Sequence, residues 1–178
     1  MTHISHELWT TSSIGKELSD AEARELFLVS RRETYAEGDV LFREGDDALA
    51  FFLVVDGGVD IEKTTETGTV HIASLESGAV VGEMSLLISE PRSATALVKK
   101  GPATVLRIEW NDFQQLMTEN RTAAFKLIYA LACLLAQRLK EINVKVAELS
   151  RAAQGQPGAV KGEEFAKLRA SLLKDWSF

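Results

Sequence analysis

Apolar positions along this chain recur with two periods, near four and near two, and the changes between them mark out its elements. Ser19-Asp20-Ala21-Glu22 is a capping box, a hydroxyl and a carboxylate three residues apart. It predicts a helix that begins there and carries apolar positions at Ala23, Leu26, Phe27 and Val29. Ahead of it, Leu8, Trp9, Ile14 and Leu18 predict a first apolar element docked on the same body. From Thr34 the period falls to two and glycines recur. Tyr35 to Asp46 reads as a short strand between two Gly-Asp turns. Strands follow at Phe51 to Val55, Val59 to Lys63, Val70 to Leu75, Ala94 to Lys99 and Thr104 to Ile108, with Gly57, Gly58, Gly68, Gly78 and Gly101 at the turns. Short strands at this spacing predict a mainly β fold with flanking helices, a sandwich or jelly-roll barrel (β-roll).

At Trp110 the period lengthens again, and the chain reads as helical to about Arg151. Ile128, Ala132, Leu135, Leu139, Ile142, Val146 and Leu149 are spaced alternately by four and three, a heptad seam. The first half of this helix is expected to pack on the barrel. The second half is expected to pair with a second copy, making a two-fold homodimer. Gln154-Gly155-Gln156-Pro157-Gly158 is a helix stop and linker. The chain therefore divides into a helical segment 1–30, a β-roll 31–109, helices 110–151, a linker 152–162 and a terminal amphipathic helix 163–178. On that last helix Phe165, Leu168, Leu172 and Trp176 share a stripe. The stripe suits folding back on the domain or its dimer mate, or docking a partner protein; its mixed charges suit a membrane surface least.

Composition narrows the function classes. A 46% apolar share in 178 residues is enough for one domain with accessory helices. A net charge of −6 argues against nucleic acid as the main partner, because phosphate contacts need clustered Lys and Arg. The single Cys133 excludes an intramolecular disulfide framework and, inside an apolar helix run, reads as a buried packing thiol. Met1 to Ser13 lacks the apolar core of a signal peptide, and the apolar run Leu127 to Ala136 is about half a membrane span, so a cytoplasmic location is expected. A β-roll also serves metal-dependent enzymes, which need clustered histidines and carboxylates. Here His3 and His6 lie in the N-terminal tail and His71 stands alone on a strand. No nucleophile–base set is apparent, so the chain does not read as an enzyme.

The most informative stretch runs from Gly82 to Ala96: Gly-Glu-Met-Ser-Leu-Leu-Ile-Ser-Glu-Pro-Arg-Ser-Ala-Thr-Ala. It places one carboxylate and one guanidinium at either end of an apolar helical turn, Met84 to Ile88. Gly82 has no Cβ and permits close approach of its backbone. The unpaired N–H groups at the start of the turn suit an anion. Arg92 is a two-pronged, charge-assisted donor for phosphate oxygens, and Glu83 an acceptor for a sugar hydroxyl. Pro91 ends the turn, and small Ser93, Ala94 and Thr95 leave room, with the Ser93 hydroxyl as a further donor. The alternative is a surface Glu–Arg pair beside a turn, contributing about 0–1 kcal/mol.

This pattern, Gly-Glu-x-Ser-Leu-Leu-(x)3-Pro-Arg-Ser-Ala-Thr-Ala, resembles the phosphate-binding cassette of cyclic nucleotide-binding domains. Those domains serve bacterial transcription regulators, protein kinase regulatory subunits and nucleotide-gated channels. The resemblance runs from roughly residue 10 to 150 and includes the Glu44-Gly45-Asp46 turn and the strand ending Val54-Val55-Asp56-Gly57. It implies that Glu83 binds the ribose 2′-hydroxyl, that Arg92 binds the cyclic phosphate, and that Ser93 donates its hydroxyl to the phosphate. It further implies that Gly82, Met84, Ser85 and Ala94 line the pocket, and that Ile61, Ile72 and Val81 pack against purine and sugar. Serine after the cassette arginine leans toward cAMP over cGMP. The resemblance also implies a lid contact from the C-terminal helix, with Arg138, Ile142 and Asn143 as candidates. The helix-turn-helix of catabolite-activator-like regulators finds no counterpart in the sequence. The expectation is a free-standing cAMP receptor that moves its C-terminal helices and passes its output to a downstream protein. The alternatives are a ligand-independent scaffold module and a regulatory piece of a larger cAMP-responsive protein.

Overall fold

The structure, a computed structural model, describes residues 5–154. Two short helices, α1 (Glu7–Thr11) and α2 (Asp20–Leu28), precede the strands β1 (Ser30–Tyr35), β2 (Val40–Phe42), β3 (Ala50–Asp56), β4 (Gly58–Thr65), β5 (Gly68–Glu76) and β6 (Val80–Val81). Helix α3 (Glu83–Leu87) follows, then β7 (Thr95–Leu97), β8 (Ala103–Glu109), α4 (Trp110–Thr118) and α5 (Thr122–Gln154). The predicted capping box forms: the Ser19 hydroxyl accepts from the Glu22 N–H, and the Ser19 N–H donates to the Glu22 carboxylate.

The strands form two four-stranded antiparallel sheets, ordered β1-β8-β3-β6 and β2-β7-β4-β5. This is the predicted β-roll. β3 is buried on both faces, as its unbroken apolar run Ala-Phe-Phe-Leu-Val-Val requires. Its inward set, Ala50, Phe52 and Val54, joins Val59, Val81, Ala96 and Val105 between the sheets. Phe51, of the alternate set, meets Phe113 of α4 edge-to-face at 5.5 Å. Trp9, Leu26, Phe113 and Leu127 are fully buried helical residues that complete the helical part of the core.

The structure corrects some expectations and adds to others. β1 begins at Ser30, ahead of the predicted start of the roll, and the short β6 is additional. The helices expected from Trp110 are α4 and α5, and they separate where Asn120 takes a left-handed φ of 57° and the Arg121 N–H returns to the Leu116 carbonyl. Cys133 is exposed. The buried stripe at the start of α5 is Ala123, Ala124, Leu127 and Leu131, and a residue two positions beyond Leu131 lies on the opposite side of a helix. Finally, although the contiguous apolar run is short, Thr122–Glu148 as a whole is long and apolar enough to cross a membrane. The stripe at its start packs into the protein's own core, while most of the stretch is not buried. The chain forms two compact units, one up to Ala132 and one from Cys133. α5 runs to Gln154, into the start of the linker expected at 152–162; the rest of that linker and the terminal amphipathic stripe fall outside the described residues.

Candidate functional site

The candidate site grows from the end of β6. Val81 is buried in the inter-sheet core, and the chain then turns at Gly82 with φ +83° into the five-residue α3. A side chain at Gly82 is excluded by more than its dihedral. A Cβ there would lie 2.6 Å from Arg92 Nη1 and 3.1 Å from Phe42 Cε1. The protein's own guanidinium and a phenyl ring thus approach this glycine closely. Glu83, Ser85 and Arg92 are all at least 95% buried, rare for charged residues and a mark of a built polar site. Ser89, with φ 55°, ends the turn, and the Glu90 N–H closes it on the Ser85 carbonyl.

The far end of the cassette is held by the Glu44-Gly45-Asp46 turn. The Arg92 N–H donates to the Asp46 carbonyl and the Gly45 N–H to the Arg92 carbonyl, both at 2.8 Å. Glu44 extends the clamp: its N–H reaches Thr95 Oγ1, and its carboxylate accepts from Lys63 Nζ at 2.6 Å and the Thr64 N–H at 3.0 Å. Lys63 also donates to the Ser93 carbonyl at 2.7 Å. The Lys63 hydrogen bond holds the Glu44 carboxyl below its ordinary value. Glu44 and Lys63 are supports that the spacing of the cassette alone does not reveal.

The Arg92 guanidinium points inward. Nη1 donates to the Gly82 carbonyl at 2.6 Å, Nη2 to the Ala50 carbonyl, and the guanidinium carbon lies over the Phe42 ring, 4.1 Å from its centroid. Its Nε–H is buried without an acceptor. Burial, and secondarily the like charge of Arg107, pull its pKa from 12.5 down to about 10, outweighing Asp46 and Glu83. Arg92 therefore stays charged at neutral pH.

A second polar group lies across the roll, and sequence reasoning missed it. Arg107 of β8 stands over Phe52 at 5.7 Å and reaches Glu109 at 2.9 Å and Glu33 at 3.8 Å. The Tyr35 hydroxyl donates to Glu33 at 2.5 Å, and burial, reinforced by that carboxylate, pushes Tyr35 up to about 12. The pairing register was the missing signal, since Glu33 stands opposite the core residue Val105.

The structure brings Val81, Gly82, Glu83, Ser85 and Arg92 together with half-buried Ile61 and Ala94. Ser93 is exposed and Met84 is 49% exposed. Ile72 lies on the edge strand β5, 58% exposed. Asn143 is exposed on α5 in the second unit. Among the described residues no cluster of His, Cys, Asp and Glu suits a metal ion.

Comparison with known proteins finds that the model of the cyclic nucleotide-binding domain family matches residues 32–120. The cyclic AMP receptor protein of Thermus thermophilus is 32% identical over 125 residues, covering 67% of this chain and 54% of that protein. Glutaminase 1 of Bradyrhizobium diazoefficiens is 33% identical over 129 residues, covering 72% of this chain but 20% of that enzyme. The crystal structure of the Thermus thermophilus catabolite activator protein superposes with a TM-score of 0.69 at 30% identity, over 78% of this chain and 63% of that one. The chain thus spans about a fifth to a half of the length of these curated relatives.

Proposed function

This chain belongs to the cyclic nucleotide-binding domain family, and we propose that it is a cAMP receptor whose ligand phosphate pairs with Arg92. One observation carries the reading: a buried guanidinium with an unsatisfied Nε–H, in the same cassette as the buried carboxylate Glu83. A cyclic phosphate carries an acceptor for that donor and a charge opposite to the guanidinium. Glu83 would accept from the ribose 2′-hydroxyl, with Gly82, Met84, Ser85 and Ala94 lining the pocket and Ile61, Ile72 and Val81 set against base and sugar. Ser93 favours cAMP. Asn143 is a candidate for a lid contact from α5.

A ligand shifts a conformational equilibrium only by preferring one state. Here the output is proposed to be a change in the C-terminal helices, read by a downstream protein in the cytoplasm and expressed through a homodimer along α5. No catalytic role is proposed for this domain.

Titration calorimetry of cAMP and cGMP into the wild type and Arg92→Ala tests the reading. The expected result is micromolar or tighter cAMP binding, weaker cGMP binding, and at least about 30-fold loss in the variant. No heat and no thermal shift with either nucleotide overturns it and favours a ligand-independent interaction module. A partner pull-down unchanged by nucleotide would separately sink the proposed output.

A further inference from the structure

The cassette arginine does not stand on hydrogen bonds alone. Its guanidinium is the first layer of a stack across the interior: Arg92 over Phe42, Phe42 against Phe52 at 5.9 Å and 27°, and Arg107 over Phe52. Phe42 belongs to the short β2, where the register with β7 shifts between Val40 and Phe42. Such an irregularity re-aims a side chain. Phe42 pairs there with Ala96, whose methyl leaves space above the strand. Gly82 leaves the matching space on the other side, where a Cβ would strike both Arg92 and Phe42.

Stacking uses the face of a guanidinium and leaves its in-plane N–H groups at the edge. Two edge positions are taken by the Gly82 and Ala50 carbonyls, and the buried Nε–H is left without an acceptor. We infer that Phe42 is the positioning residue of the anion site: its π face fixes the plane of the Arg92 guanidinium and aims the remaining edge donors at the ligand. The effect on ligand rests on the receptor reading, but the placement of Arg92 by Phe42 does not.

Calorimetry with cAMP on proteins carrying mono-, di- and trifluorinated phenylalanine at position 42 tests this, because fluorination drains the ring face while nearly preserving size. Affinity falls stepwise with fluorine count, and Phe42→Leu binds about tenfold more weakly. Equal affinity across the series overturns the inference, and the series decides the matter even if Phe42→Leu fails to fold.

A nuclear magnetic resonance measurement on the unliganded protein separates the two readings. The Arg92 Nε–H proton is expected to be shifted upfield by the ring and protected from exchange, and to lose the shift in Phe42→Leu or in the most fluorinated protein that folds. If cAMP does not bind, the receptor reading fails while this signal still supports the placement. An unshifted, freely exchanging proton overturns the placement whether or not cAMP binds.

Discussion

Individual residues in the roll are constrained by neighbours that composition does not display. Gly82 combines φ +83° with a Cβ position 2.6 Å from Arg92 Nη1. Gly82→Ala is therefore expected to lose about 1–3 kcal/mol in denaturant unfolding and to weaken cAMP binding, because relieving the clash turns the guanidinium. Tyr35 offers a test independent of ligand. With its folded value raised from 10.0 to about 12, the folded state holds that proton longer than the unfolded chain does. The stability it supports is fully present below pH 10 and lost as pH rises toward 12. The chain has 2 tyrosines, so in Tyr129→Phe the remaining phenolate absorbance should rise near pH 12. A rise near 10 would contradict the half-buried Tyr35–Glu33 contact. At this scale Arg92 and Glu83 were legible as candidates, since residue type in a fixed order carries that signal. Phe42 was not. A phenylalanine on a strand reads as core filling, and only the folded chain shows a guanidinium on its face.

Elements show the same division. The capping box of α2 was readable from Ser19 and Glu22 because both partners lie within one turn. Its second role was not, because Lys126 is far away in sequence: its Nζ donates to Glu22 Oε2 at 2.8 Å and to the Glu17 carbonyl at 2.9 Å. One carboxylate thus caps α2 and holds the start of α5. The Lys126 hydrogen bond, with the Ser19 N–H second, lowers the Glu22 pKa from 4.5, so its contribution is present above pH 4.5 and lost as pH falls through the lowered value. Lys126→Met should bring the Glu22 carboxyl back toward 4.5 in a carbon-detected titration and flatten the acid limb of stability. Glu22→Gln keeps an acceptor for the Ser19 N–H and should cost less than Glu22→Ala, which removes the reciprocal cap and loses about 1 kcal/mol. β1 escaped sequence reasoning for a related reason. Its inward positions Glu33 and Tyr35 are polar or amphipathic, Tyr35 donating to Glu33 within the strand and Glu33 pairing with Arg107 of β8, so the strand lacks an apolar alternation. β6 has two residues, too few for any period.

At the scale of the whole molecule, the unsettled feature is the apolar surface of α5. Phe125, Tyr129, Leu139, Ile142 and Val144 are each more than 40% exposed, an unusual concentration on one helix. If two copies pair along the heptad seam, Leu139 and Ile142 are covered and Cys133, two positions before the seam residue Leu135, faces outward. Sedimentation of the wild type should then give about twice the 19.6 kDa chain mass, and Leu139→Glu combined with Ile142→Glu should give the single chain. The arrangement has its own test. In a two-fold parallel pair, the same seam position on each helix lies within disulfide reach of its mate. Ile142→Cys in a Cys133→Ser background should cross-link rapidly under mild oxidation, while the wild-type Cys133 should not. Cross-linking through Cys133 alone would place the contact on the opposite face of the helix, and a single-chain mass at all concentrations would leave α5 free for a different protein.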